Sequence, residues 1–167
     1  RKALRAFFEY IGREWWDAIK IGASPDRNVD PNELLTMEEI DELLEAADNS
    51  RDKALVAIMA DSGLRIGAIA SLRVRDVNFS GATASVTINE DANVKGASGT
   101  TPLTWSEGHV ASWLDVHPRR EADAPLFHVR EGYFDANEGD GSLDYQYLAR
   151  RVRNIAAKTD VDTDRVN

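Results

Sequence analysis

The spacing of apolar residues changes period part-way along this 167-residue chain, and that change restricts the fold sharply. Leu55 and Ile58, then Leu64, Ala68, Ile69 and Leu72, recur at steps near three and four, as residues on one side of a helix do. From Val77 the step shortens to two. Val77, Phe79, Ala84, Val86 and Ile88 alternate with polar neighbours around a Ser80-Gly81 turn, the pattern of half-buried strands. A short third strand is expected over Thr100 to Leu103, where Pro102 suits an edge position. The fold class that follows is α+β and mainly helical, with helices packed on a small three-stranded antiparallel sheet.

Helix ends mark the remaining organisation. Thr36 and Glu39 form a capping-box pair, with Leu35 and Ile40 placed as a hydrophobic staple, so a domain is expected to begin at residue 35. Its first helix buries Ile40, Leu43, Leu44 and Ala47 and breaks at Asp48-Asn49-Ser50; a second from about Arg51 buries Leu55, Ile58 and Met59 and stops before Gly63; a third runs on to Val74. Thr104-Trp105-Ser106-Glu107 repeats the capping-box pattern ahead of a helix that places Val110, Trp113 and Leu114 inside and ends at Pro118. A last helix from about Ser142 buries Tyr145, Leu148, Val152 and Ile155 and turns Arg150 and Arg153 outward. Ahead of all this, Phe7, Phe8, Ile11, Trp15, Trp16 and Ile19 form one apolar helical stripe. The turn-forming run around Pro25, Asn28 and Pro31 separates it from the rest. The expected domains are a terminal helix at 1–22, a linker at 23–34 and a domain at 35–167. Arg1 rather than Met opens the chain in what reads as mid-helix, so both ends are expected to be cuts in a longer parent.

Charge and cysteine content narrow the chemistry. Cysteine is absent, which removes disulfides, thiolate metal sites and thiol nucleophiles from these residues. Seventeen Asp and 12 Glu against 15 Arg and 5 Lys leave a net charge of −9, the opposite of what a phosphate-binding surface ordinarily shows. An Asp-rich, Lys-poor surface is, however, what a protein of a salt-rich cytoplasm carries, as in a halophilic archaeon, and recognition there must rest on local geometry. No apolar run reaches the length of about 20 residues that spans a bilayer, so a cytoplasmic protein without membrane association is expected. The scattered histidines support no metal site.

The segment Asp61-Ser62-Gly63-Leu64-Arg65-Ile66-Gly67-Ala68 opens the third helix just after a glycine, bringing first-turn amides and a guanidinium toward one spot. Helix amino ends and arginine forks both bind phosphate. The plainer alternative is a surface arginine paired with a nearby carboxylate. Through Leu72-Arg73-Val74-Arg75-Asp76-Val77, the Ser80-Gly81 turn, the single lysine of Val94-Lys95-Gly96, the Pro102-Leu103-Thr104 step and the later Pro125-Leu126-Phe127, the order of features closely resembles that of the tyrosine recombinase, or phage integrase, family. The resemblance covers residues 35 to about 160, with 1–20 similar to the last helix of the family's amino-terminal, DNA-clamping domain.

That resemblance implies a site-specific recombinase that breaks and rejoins double-stranded DNA through a 3′-phosphotyrosyl link, with no cofactor, no metal and no small-molecule substrate, and with self-association on DNA in the full-length parent. It makes Arg65 the ligand that stabilises the phosphorane and Lys95 the proton donor to the leaving oxygen, with Arg65, Lys95, Arg150 and Arg153 on the DNA. Two departures stand out. Ala68 occupies a position that is usually acidic in the family, and the His-x-x-Arg box and the nucleophilic tyrosine are not in the sequence where the pattern would put them. The literal His117-Pro118-Arg119-Arg120 stands too early, with proline where a helix should start, so it is expected to be structural. Tyr133, Tyr145 and Tyr147 are poor nucleophiles, the last two being expected to serve in packing. This piece is therefore expected to bind DNA but to be inactive alone. The alternatives are a degenerate recombinase fold kept as a DNA-binding module, and a helical protein-interaction domain docking through Trp15 and Trp16.

Overall fold

Residues 34–88, 99–129 and 139–166, with Tyr10 and Gly12, are described by the computed structural model of the chain. The chain divides into two compact units, Arg1–Leu34 and Leu35–Asn167. The expected stripe of Phe7, Phe8, Ile11, Trp15, Trp16 and Ile19, the linker at 23–34 and Tyr133 lie outside the described residues, apart from Leu34 at the linker's end. Everything below concerns the second unit.

Helix α1 (Met37–Ala46) starts at a complete capping box: Glu39 N–H donates to the Thr36 hydroxyl at 3.2 Å and Thr36 N–H to the Glu39 carboxylate at 2.7 Å. After Asn49, whose side chain caps the next helix through Asp52 N–H, α2 (Ser50–Ser62) runs to Gly63. Gly63 has φ 62°, a left-handed conformation that glycine adopts without a Cβ penalty, and it turns the chain into the six-residue α3 (Ile66–Ser71). The third helix is shorter than its apolar spacing suggests. Leu72 is already extended, and Val74–Asp76 form a 3-10 turn held by the Asp76 carboxylate on Arg73 N–H.

Strands β1 (Val77–Asn78), β2 (Ala84–Ile88) and β3 (Gly99–Leu103) form an antiparallel sheet in that order, with Val77 opposite Val86 and Ile88 opposite Gly99. On β2, Ala84, Val86 and Ile88 are buried and their neighbours less so, which is the period-two pattern realised. Pro102 is exposed on an edge strand, as expected. Phe79 is 40% exposed, because the strand ends at Asn78 and the phenyl group leaves the alternation. Helix α4 (Glu107–Asp115) buries Val110 and Trp113, and α5 (Tyr145–Ala156) buries Leu148, Val152 and Ile155.

Helix α2 is the hub, packing on α1, α4, α5 and β3. Its Leu55 and Ile58 enter a larger core with Ile69, Leu72, Val86, Leu103, Trp113, Leu126 and Leu148. Val56 and Ala57, on the other side, join Ile40, Leu43, Leu44 and Ile155 in a second core. A helix between two cores needs apolar residues on more than one side, which the run Ala54-Leu55-Val56-Ala57-Ile58 supplies beyond the single stripe of Leu55 and Ile58. Each large aliphatic side chain buried here contributes roughly 1.5–3 kcal/mol.

Candidate functional site

Arg65 stands at the corner where α2 ends. Gly63 N–H closes α2 on Met59 O at 3.2 Å, and the Arg65 carbonyl accepts the N–H groups of Ala68 and Ile69 at 2.8 and 3.1 Å to start α3. The Arg65 side chain makes no capping bond and is exposed. A helix of six residues aligns few peptide dipoles, so the expected contribution of α3's amino end is small and the guanidinium carries the charge of the corner. Ala68, one turn on, is fully buried in the larger core.

The arginines sort into two groups. Arg51, Arg73, Arg75, Arg119, Arg151 and Arg165 each hold a carboxylate. Arg120 donates to the Asp115 carbonyl. The guanidinium groups of Arg65, Arg150 and Arg153 make no ion pair or hydrogen bond among the described residues, and all three side chains are exposed. These are the three arginines picked out from the sequence. Arg150 and Arg153 lie one turn apart on α5, which packs against α3, the helix that Arg65 opens. Lys95 falls at 89–98, outside the described residues; that stretch joins Ile88 to Gly99, the last register pair of the β2–β3 hairpin.

Neighbouring charged residues serve the scaffold. Asp52, fully buried, accepts from Arg51 at 2.9 Å, Arg151 at 2.6 Å and Asn49 at 2.7 Å. Burial pushes its carboxyl up, but the two guanidiniums outweigh that and the net direction is down. Arg151 also reaches Asp48, which Lys158 holds at 2.7 Å. Sequence spacing gave no sign of this network, since Arg151 and Lys158 lie 99 to 110 residues from the Asp52 and Asp48 carboxylates they hold. Arg73 binds Asp140 at 2.9 Å, and the Ser142 hydrogen bonds followed by that guanidinium bring the Asp140 carboxyl down to about 2. The segment after Leu72 is tied to the Pro125-Leu126-Phe127 step through Leu126 N–H to Leu72 O at 2.8 Å and Val74 N–H to Ala124 O at 2.9 Å. A cleft of about 810 Å³ opens beside it, lined by Ser71, Arg73, Arg75, Ile88, Ser142 and Tyr145; Arg65, Arg150 and Arg153 are not among its lining residues.

His117 is buried, with Nε2 on the carbonyls of Pro125 and Leu126 at 3.0 and 3.2 Å and Nδ1 accepting Arg119 N–H at 3.1 Å. Burial pushes its pKa down. It is a structural histidine, as its place before the Pro-Leu-Phe step suggested. The packing roles expected for Tyr145 and Tyr147 need correction. Tyr145 is 53% exposed, in the first turn of α5 behind the Asp144 cap, and Tyr147 is 41% exposed with the Arg51 guanidinium 5.8 Å over its ring. Among the described residues no group of three or more His, Asp or Glu could hold a metal, and no helix is long and apolar enough to cross a membrane.

The profile of the Phage integrase family matches residues 33–162. The chain belongs to that family. Within it, the chain is 31% identical over 78 residues to the tyrosine recombinase XerA of Pyrococcus horikoshii, an alignment taking in 47% of this chain and 27% of that protein. The crystal structure of XerA recombinase has the same fold, with a TM-score of 0.62 at 18% identity over 99% of this chain and 56% of that one. The chain thus spans about a quarter of the curated relative and little more than half of the solved structure. Helices with a small three-stranded antiparallel sheet, the fold class expected from the sequence, is the architecture observed.

Proposed function

We propose that this chain forms the front of the catalytic domain of a site-specific DNA recombinase, following a linker and the last helix of a DNA-clamping domain. The reaction passes through a 3′-phosphotyrosyl intermediate. A tyrosine oxygen supplied by a later part of the parent bonds to phosphorus, the bond to the 5′ oxygen breaks, and Lys95 gives that oxygen its proton. Arg65 stabilises the charge on the phosphorane. The bond energy stays in the covalent link, so neither nucleotide nor metal is required, and this piece binds double-stranded DNA without cutting it. Copies of the full-length parent assemble on the DNA. The excess of 17 Asp over 5 Lys is read as adaptation to a salt-rich cytoplasm.

The observation that carries this reading is the sorting of the arginines. In a chain with 29 carboxylates, the three guanidiniums left without a partner among the described residues are Arg65, Arg150 and Arg153. Exposed, uncommitted guanidiniums are what a phosphate backbone needs.

The test uses the full-length parent at high salt with a nicked duplex, scoring protein joined covalently to the 3′ end. Wild type should form the adduct and Arg65→Ala should not, with unchanged circular dichroism. Near-normal adduct from Arg65→Ala would sink the assignment. Arg150→Ala and Arg153→Ala should each weaken binding similarly across sequences and lower the salt slope by about 1. A parent that binds duplex DNA yet never forms an adduct would favour the degenerate DNA-binding module, the reading to which Ala68 lends weight.

A further inference from the structure

The corner that bears Arg65 is held from a distance. Asp61, in the last turn of α2 and four residues before Arg65, accepts four hydrogen bonds, all from the junction between β3 and α4. The Thr104 hydroxyl takes one carboxylate oxygen; the other receives Trp105 N–H and Ser106 N–H at 3.1 Å each and the Ser106 hydroxyl at 2.7 Å. Ser106 is fully buried. Asp61 therefore supplies the cap that Thr104 was expected to provide for α4, across more than forty residues of sequence, and the anticipated Thr104–Glu107 box does not form, since no side chain of α4's own segment caps it. Partial burial pushes the Asp61 carboxyl up, but these donors prevail and its pKa is lowered.

On the near side the corner's own hydrogen bonds are local, the Ser62 hydroxyl donating to Ile58 O and Leu64 N–H to the Ser62 oxygen at 3.3 Å, while Leu64 and Ile66 pack on the larger core. Leu64 then leads into Arg65, whose carbonyl starts a helix of only a turn and a half. Such a short element has little stiffness by itself, so the direction in which Arg65 leaves the body follows the anchorage of α2's last turn. We infer that Asp61 is a positioning residue for Arg65: by tying the end of α2 to the β3–α4 junction, it fixes the corner from which the guanidinium projects. The inference rests on the reading of Arg65 as the phosphate ligand.

The experiment is a double-mutant cycle on the cleavage rate of the full-length parent with nicked duplex, using wild type, Asp61→Ala, Arg65→Lys and the double variant. Lysine at 65 keeps the charge but loses the fork, so it should be slow yet measurable. Asp61→Ala is expected to slow cleavage about 30-fold at unchanged Kd for DNA, within the range that misplacing a reacting group by an ångström produces. In the Arg65→Lys background the same change should cost no more than about 3-fold, because there is no fork left to aim. Asp61→Glu should recover part of the loss. Equal losses in both backgrounds, or a loss confined to Kd, would overturn the positioning role while leaving Arg65 as the ligand. Wild-type cleavage by Arg65→Lys would instead bring down the ligand reading and this inference with it. Should Asp61→Ala not fold, as judged by thermal melting, Thr104→Val and Ser106→Ala each remove one donor and carry the same cycle.

Discussion

Ala68 lies three positions after Arg65 and is fully buried, so a carboxylate there would sit in the larger core rather than beside the exposed guanidinium. Ala68→Glu should destabilise the domain by roughly 2–7 kcal/mol in urea unfolding, the scale for burying a neutral polar group without a partner, because the core would hold the carboxyl protonated rather than ionised; a variant as stable as wild type would mean that a cation or solvent comes within reach of that site. Gly141 is constrained more tightly. Its φ is 78°, and a Cβ there would meet His128 Nε2 at 2.1 Å. Gly141→Ala should cost more than about 1 kcal/mol, read as a lower Tm, since strain and overlap act together. At this scale the sequence was informative where chemistry and order agree: Gly63 and Arg65 follow from a glycine that ends one helix and an arginine that begins the next. Gly141 was not legible, because its requirement comes from a histidine packed on it from another segment.

Helices with one apolar face were legible from spacing, as α1 and α5 show: Ile40, Leu43 and Leu44, and Leu148, Val152 and Ile155, are buried as expected. Tyr145 was misjudged because it falls on the same helical register but in the first turn, beyond the edge of the core it would have to reach. The cap of α4 could not be read locally either, since its acceptor comes from α2. The same helix carries the buried Arg51–Asp52 pair, joined by Arg151 from α5. Asp52→Ala should destabilise the domain by about 3–5 kcal/mol in chemical denaturation, the cost of leaving a buried guanidinium without its counter-charge. A loss under about 1 kcal/mol would show that Arg51 is held well enough by its other bond, to His128 O at 3.4 Å.

For the whole molecule, these charges set the response to acid. His117 titrates below its ordinary value of 6.5, so the unfolded chain takes up this proton first and stability falls as pH drops through about 6.5. Asp140, at about 2 against an ordinary 3.8, acts in the same direction lower down: its contribution is full above about 3.8 and is lost as pH falls toward 2. Acid unfolding should therefore show two descending steps. His117→Gln should remove the upper one and Asp140→Asn blunt the lower, by urea midpoints measured against pH. The sheet carries one further consequence. β3 is an outer strand, and Pro102 within it has no amide hydrogen to donate, so the row of donors that an incoming strand would need is broken. Two copies of this domain meeting at β3 are thereby guarded against zipping edge to edge into one continuous sheet, so any contact across that edge falls to side chains.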